Sequence, residues 1–189
     1  MMRSMFLLLS LLVAGTAQAA HYQAAPGSTL GFVGSFQGED YEGQFKRFTV
    51  RLRFDPAALA SSELDVVVEL ASAGVGQGDG DELLRGAAFF DTARQPQARF
   101  KARKFRALGG ARFAADGELS LRGVRKPVTL VFAWTPGPRP VLAGSAAVKR
   151  LDFGIGAGEW ADTGELANEV RVRTRLVLLP LPAAVPANP

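Results

Sequence analysis

Residues 117–130 read GELSLRGVRKPVTL, and this stretch decides the fold. Leu119 and Leu121 alternate with polar neighbours, a charged turn runs from Arg122 to Lys126, and alternation resumes after Pro127 at Val128 and Leu130. A period of two marks a strand with one wet and one dry face, so the stretch predicts a strand, a tight basic turn and a second strand. Pro127 is expected to open the second strand, where no ladder N–H is required.

The pattern repeats in both directions. Ser28 to Phe36 sets Leu30, Phe32 and Phe36 against Gly31, Val33 and Ser35. Phe45 to Phe54 sets Phe48, Val50, Leu52 and Phe54 against Arg47, Thr49, Arg51 and Arg53, as an antiparallel strand half in water requires. Leu64, Val66, Val68 and Leu70 form the next inner row. Further strands are expected at Ala98 to Phe105, Arg112 to Leu121, Val128 to Trp134, Val141 to Val148 and Glu169 to Leu178. Eight or so short strands with no long helix predict an all-β, up-and-down or lipocalin-like antiparallel barrel.

One segment breaks the alternation. Gly74 to Gly80 is glycine-rich, and Asp79-Gly80-Asp81-Glu82 reads as a capping box opening a short helix through Leu84, stopped at Gly86. Phe89 and Phe90 are adjacent, so in a strand they would face opposite sides. They are expected instead in a loop, Ala87 to Asp91, that covers something apolar.

The termini have a different character. Arg3, the apolar run Met5 to Val13 and the small-x-small site Ala17-Gln18-Ala19 read as a cleaved secretory leader, residues 1–19, with export to the periplasm. That run is far shorter than the roughly 20 residues needed to span a bilayer. The barrel domain is expected over residues 20–179, and the Pro-rich tail, 180–189, is expected to be unpaired. One Arg lies in the leader, so the formal charge falls from +4 to +3 on cleavage. Such a surplus does not indicate nucleic acid as a partner. With no cysteine, the chain has no disulfides, no thiol catalysis and no cysteine metal site.

The catalytic inventory is thin. Gly74-Val75-Gly76-Gln77-Gly78 lacks the Lys-Ser/Thr ending of a phosphate loop and sits in no βαβ unit, which leaves a glycine turn. Asp79 and Asp81 lack the bidentate Glu of a calcium loop, and helix capping accounts for them. His21, the single histidine, lies beside the cleavage point, so neither a histidine metal site nor a Ser-His-Asp triad is expected. Carboxylate pairs such as Asp152 with Glu159 are available for acid–base work, but nothing specifies an enzyme, and no catalytic residue and no metal are expected. Most of the Phe fall on inward positions. Periodicity alone leaves open whether they fill the barrel or line a tunnel, since eight-stranded barrels do either.

Several motifs occur in a fixed order: Gly43-Gln44-Phe45, Leu84-Arg85, Phe89-Phe90-Asp91, Gly117-Glu118-Leu119, Arg122-Gly123-Val124 with Lys126-Pro127-Val128, and Lys149-Arg150-Leu151-Asp152-Phe153-Gly154. Over Ser28 to Leu178 the chain resembles the YceI-like family of polyisoprenoid-binding, lipocalin-fold proteins. The resemblance implies an extended eight-stranded barrel with a helix in a connecting loop. It also implies an elongated apolar cavity for a long isoprenoid or similar amphiphile, a polyprenyl phosphate or a quinone. Periplasmic location, an inner-membrane b-type cytochrome as partner and a homodimer are further implications. The chain departs from the pattern at Gly34-Ser35, where related chains often carry a His, and in its glycine-rich stretch before the helix.

On this basis Phe32, Phe36, Phe48, Phe54, Phe100, Phe113, Phe132 and Trp134 are the candidate apolar lining, and Leu83, Phe89, Phe90 and Trp160 the candidate mouth. Arg85 and Arg150 are the candidate headgroup contacts, with solvated turn charge or ion pairs to Asp91 or Asp152 as their alternative roles. The expected function is lipid carriage without catalysis or cofactor. A ligand-free structural or stress-protection protein and an enzyme acting on a lipid are the alternatives.

Overall fold

The computed structural model describes residues 20–76 and 78–182. One sheet contains β1 (Ala20–Ala24), β2 (Thr29–Phe36), β3 (Glu39–Phe45), β4 (Phe48–Phe54), β5 (Glu63–Glu69), β6 (Ala73–Gly74), β7 (Gln97–Gly109), β8 (Arg112–Leu121), β9 (Val124–Thr135), β10 (Val141–Lys149) and β11 (Glu169–Pro180). The helix α1 (Gly78–Arg85) lies between β6 and β7.

The first six strands are three long ones, each interrupted once. Tyr22 pairs with Leu52 and Phe32 with Gly43, so β1–β2 runs as one arm against β3–β4 in nearly constant register. β4 then pairs with β5 and β3 with β6. The remaining strands pair in chain order, and β11 closes the ring on β1 (Tyr22 with Pro180) and on β2 (Phe32 with Val172). The result is a closed eight-stranded antiparallel up-and-down barrel.

At the interruptions the ladder is kept by substitution. Where β3 gives way to β4, the Lys46 N–H donates to the Ser72 carbonyl (3.2 Å) and the Arg47 N–H to Ser72 Oγ (3.0 Å). Ser72 ends a 3-10 turn, Leu70–Ser72, and is buried. Between β1 and β2, Ser28 Oγ donates to the Val177 carbonyl and accepts from the Val177 N–H, both at 3.1 Å. The breaks therefore cost no backbone hydrogen bond at those positions.

One hairpin and one strand differ from the sequence expectation. The β8–β9 turn is only Arg122-Gly123, both with positive φ (51° and 74°), and β9 begins at Val124. Such a two-residue turn matches the strand twist, so the strands continue to its edge. Pro127 is thus inside β9, opposite Glu118, where β9 has a neighbour on one side only because its β10 pairing starts at Val131. Phe45 to Phe54 is divided at Lys46-Arg47, and Phe45 belongs to β3. The tail also departs from expectation at its start: Pro180 pairs with Tyr22, and the Leu181 N–H donates to the His21 carbonyl (2.7 Å). His21 is therefore an exposed residue of a paired strand, not of a frayed end. The leader and residues 183–189 lie outside the described residues.

On the outer face of β4, β5 and β7, basic and acidic rows interleave. Asp65 faces Arg51 and Lys101 across the strands and is ion-paired with Arg99, while Glu63 meets Lys101 (3.3 Å) and Arg103 (3.1 Å). Hydrogen bonds from Arg99 to Asp65, and from Arg103 and Lys101 to Glu63, hold these carboxyls below the usual carboxylate range.

Candidate functional site

The barrel interior has two unlike halves. At the end bearing the β7–β8 turn, Phe54 meets Phe105, Phe113, Phe132 and Trp134 at ring-centroid distances of 5.8, 5.2, 5.6 and 4.8 Å. Phe113 stacks on Phe132 at 5.6 Å, and Tyr22 meets Trp134 edge-on at 5.7 Å. Leu52, Leu142 and Leu178 pack with these rings and are fully buried, and Leu64, equally buried, borders the cavity of the other half. This end is a packed aromatic plug.

The other half is hollow. A cavity of about 180 Å³ lies between Leu30, Phe32, Tyr41, Phe45, Phe48, Val66, Val68, Phe100, Leu119, Leu121, Val128, Val148, Val170 and Val172. Its wall is almost wholly hydrocarbon. An apolar void of about 150 Å³ stays dry and takes up benzene-sized molecules, so this one suits a hydrocarbon segment.

Inward-facing glycines explain why aromatic residues leave a void here. Phe32 faces Gly43, and Tyr41 faces Gly34, in neighbouring cross-strand pairs of β2 and β3. A Cβ on Gly43 would lie 2.1 Å from Phe32 Cζ, and one on Gly34 would collide with the Tyr41 phenol. On β8, a Cβ on Gly117 would lie 2.8 Å from Phe100 Cε2. Each ring thus lies flat across a glycine, along the wall instead of across the lumen.

A cap closes the hollow end. Leu84 of α1, Phe89, Phe90 and Ile155 border the cavity, and Phe90 meets Phe45 at 5.8 Å and Phe32 at 6.5 Å. The turn carrying these Phe folds back on α1 through Phe90 N–H to Leu84 O and Asp91 N–H to Gly86 O, both 2.9 Å. Two outside elements latch it. The Arg122 guanidinium donates to the Ala87 carbonyl (3.0 Å) and to the Phe89 carbonyl, and the Gly156 N–H donates to the Ala88 carbonyl (2.7 Å).

Arg150 organises the β10–β11 connection. It is 3% exposed, and its guanidinium donates to five backbone carbonyls: Ala167 from Nε (3.1 Å), Ile155 and Gly156 from Nη1 (3.0 and 2.7 Å), and Trp160 and Leu166 from Nη2 (both 2.7 Å). A guanidinium has five N–H groups, and all are engaged. Gly156 is required at φ 63°, because a Cβ there would lie 2.6 Å from Arg150 Nη1. Burial pushes the guanidinium below its ordinary value, with nearby Tyr41 acting in the opposite sense. Burial likewise raises the Tyr41 phenol, and Arg150 opposes it.

The expected lining is therefore divided. Phe32, Phe48 and Phe100 border the cavity. Phe54, Phe113, Phe132 and Trp134 do not: they occupy inward positions of the same period but pack on one another in the plug. Phe36 is 36% exposed at the rim, 6.4 Å from Trp160, because it ends β2 beyond the barrel wall. Of the expected mouth, Phe89 and Phe90 border the cavity and Trp160 backs Phe89 at 5.7 Å. Leu83 points outward at 40% exposure, and its neighbour Leu84 takes the inward place.

The expected cations also part company. Arg85 is exposed on α1, 3.8 Å from Asp81, and Arg150 has no free N–H to offer a headgroup. Asp81 accepts from the Val75 N–H (2.7 Å), so it ties the glycine-rich segment to α1, which begins one residue before Asp79. Tyr41 and Ile155 carry no signal of their own in the sequence, and Phe45 and the latch Arg122 stand there only as members of the ordered motifs, without a site role. The aromatic-over-glycine register of Tyr41 with Gly34 was the available signal, hidden because β3 was not recognised as a strand. Among the described residues no His, Cys, Asp or Glu cluster is arranged to hold a metal.

Comparisons with known proteins agree with this architecture. A UPF0312 protein of Azotobacter vinelandii is 31% identical over 172 residues, 85% of this chain and 88% of its own. One of Vibrio parahaemolyticus is 28% identical over 150 residues, 74% of this chain and 79% of its own. Among solved structures, BcnA of Burkholderia cenocepacia superposes with a TM-score of 0.77 at 30% identity, covering 80% of this chain and 96% of that one. A polyisoprenoid binding domain from Saccharophagus degradans has the same fold, with a TM-score of 0.67 at 17% identity over 86% of this chain and 99% of that one. The YceI-like domain model matches residues 22–178, and the chain accordingly belongs to the YceI-like domain family.

Proposed function

We propose that the protein is an exported binding protein that holds the hydrocarbon tail of a long-chain isoprenoid or similar amphiphile, without catalysis. The observation that carries this reading is the hollow half-barrel, walled by rings laid over glycines and closed by a cap of Leu84, Phe89 and Phe90. Each buried CH₂-sized group contributes about 0.8 kcal/mol, so a few isoprene units offset the cost of ordering the chain. The aromatic plug stops the tail at mid-barrel, so a longer chain leaves through the cap end. The Saccharophagus degradans domain, described as polyisoprenoid binding, supports the ligand class.

The leader-like segment supports a periplasmic setting. A quinone as ligand, a b-type cytochrome as partner and pairing of two copies are finer readings of the same role. Native mass spectrometry of protein purified from periplasm, followed by organic extraction, tests the proposal. A reproducible adduct of isoprenoid mass is expected. Protein that purifies empty and takes up no added isoprenoid overturns the proposal in favour of a structural role.

A further inference from the structure

The tail site described above has no assigned contact for the polar head, and the expected cations do not supply one. Four cavity-bordering side chains carry polar atoms: Tyr41, Arg99, Arg150 and Thr174. Three are committed elsewhere. Arg99 pairs with Asp65 on the outside of the barrel, Thr174 Oγ1 donates to the Thr29 carbonyl (3.0 Å), and Arg150 is saturated by carbonyls. Among the described residues, the Tyr41 hydroxyl has no hydrogen-bond partner.

Its position is that of a headgroup contact. Tyr41 is the third residue of β3, its phenol held over Gly34. The connection organised by Arg150 runs beside that point, since the Ala167 N–H donates to the Ser35 carbonyl (2.9 Å) and Leu166 bridges Phe36. Arg150 has no ion-paired carboxylate among the described residues. Its charge therefore reaches the cavity with carbonyl dipoles as its only balance, and it favours an electron-rich group beside Tyr41.

We infer that Tyr41 donates its phenolic O–H to an acceptor oxygen on the head of the bound amphiphile, with Arg150 supplying charge but no hydrogen bond. This rests on the tail-binding reading proposed above. The shared chemistry is an oxygen acceptor, which a quinone carbonyl or a phosphate ester each provides.

The test compares wild type with Tyr41→Phe, using three probes of similar tail length: squalene, which has no head, a ubiquinone and a polyprenyl phosphate. Tyr41→Phe is expected to weaken a headed probe about tenfold more than it weakens squalene, as loss of one hydrogen bond does. Whichever headed probe loses more identifies the source of the oxygen. Equal affinities for headed probes in both proteins overturn the inference while leaving tail binding intact. Failure of wild type to take up any probe, squalene included, overturns both. The chain has two tyrosines, so ¹³Cζ-tyrosine NMR gives an independent readout in the unaltered protein. The Tyr41 signal is expected to move further with a headed probe than with squalene, and a signal that responds alike to both refutes the contact.

Discussion

Replacing Arg150 with methionine separates a structural arginine from a ligand-binding one. The side chain is 3% exposed and serves five carbonyls, three of them, on Ile155, Gly156 and Leu166, in buried hydrogen bonds. Methionine fills most of the volume but leaves those three acceptors unpaired, at about 1–3 kcal/mol each. The bonds to Ala167 and Trp160 are part-buried, so water replaces much of what they lose. Relief of the cost of burying the cation offsets part of the total, giving a net loss of about 3–5 kcal/mol. Against a usual stability of about 5–15 kcal/mol this is large. Urea unfolding followed by tryptophan fluorescence measures it directly. Arg150→Lys restores the charge with three donors but not the planar fork, and should recover less than half of the loss. A loss under about 1 kcal/mol, accompanied by a collapse of lipid affinity, would refute this reasoning and make Arg150 a headgroup ligand after all.

Further substitutions probe the two halves of the barrel. Gly43→Ala pushes the Phe32 ring off the wall and into the lumen, destabilising the barrel by about 1–3 kcal/mol and reducing uptake of an apolar fluorophore. Unaltered uptake contradicts the wall geometry. Phe132→Ala opens a void in the plug and should cost about 3–5 kcal/mol with ligand retention preserved. Phe48→Ala, beside an existing void, should cost about 2 kcal/mol; equal losses at Phe132 and Phe48 would show that the halves are packed alike. Arg122→Ala releases the Ala87 and Phe89 carbonyls, so ligand exchange measured by stopped-flow should accelerate, and an unchanged rate would mean that this latch does not restrain the cap. Glu63, Asp65 and Asp116 have folded values below their unfolded ones, because Arg103 and Lys101, Arg99, and Arg106 with Thr129 respectively favour their charged forms. Their stabilisation is fully present above about pH 4–5 and fades as pH falls through the lowered folded values. These pairs are exposed and screened by solvent, so the urea midpoint should change little between pH 7 and pH 5 before falling below pH 4. A steep loss between pH 7 and pH 5 would contradict that assignment.

Period-two alternation was enough to read the barrel, because a strand with one wet face repeats its inward residues every second position. Alternation carries no information about which inward residues meet. Phe32 and Phe132 have the same local pattern, yet one lines a void and the other sits in a plug. The difference lies in the cross-strand partner: Phe32 faces Gly43 and its ring lies down, whereas Phe132 is opposed by Phe113 and meets Phe54, and its ring has rings to rest on. Partners follow from register, and register required knowing that β3 exists. Its sequence, Glu39-Asp-Tyr-Glu-Gly-Gln-Phe45, has an inner row of Tyr41, Gly43 and Phe45 whose middle member is invisible to a search for apolar alternation. The glycine that conceals the strand is the same residue that makes room for the cavity. The carbonyl-binding role of Arg150 is hidden for a related reason. A charged residue in a loop motif reads as solvated or ligand-facing, and only the folded path of residues 151–167 shows five carbonyls converging on it. Both features turn on an absence, of a side chain at Gly43 and of a free donor at Arg150, and composition records only what is present.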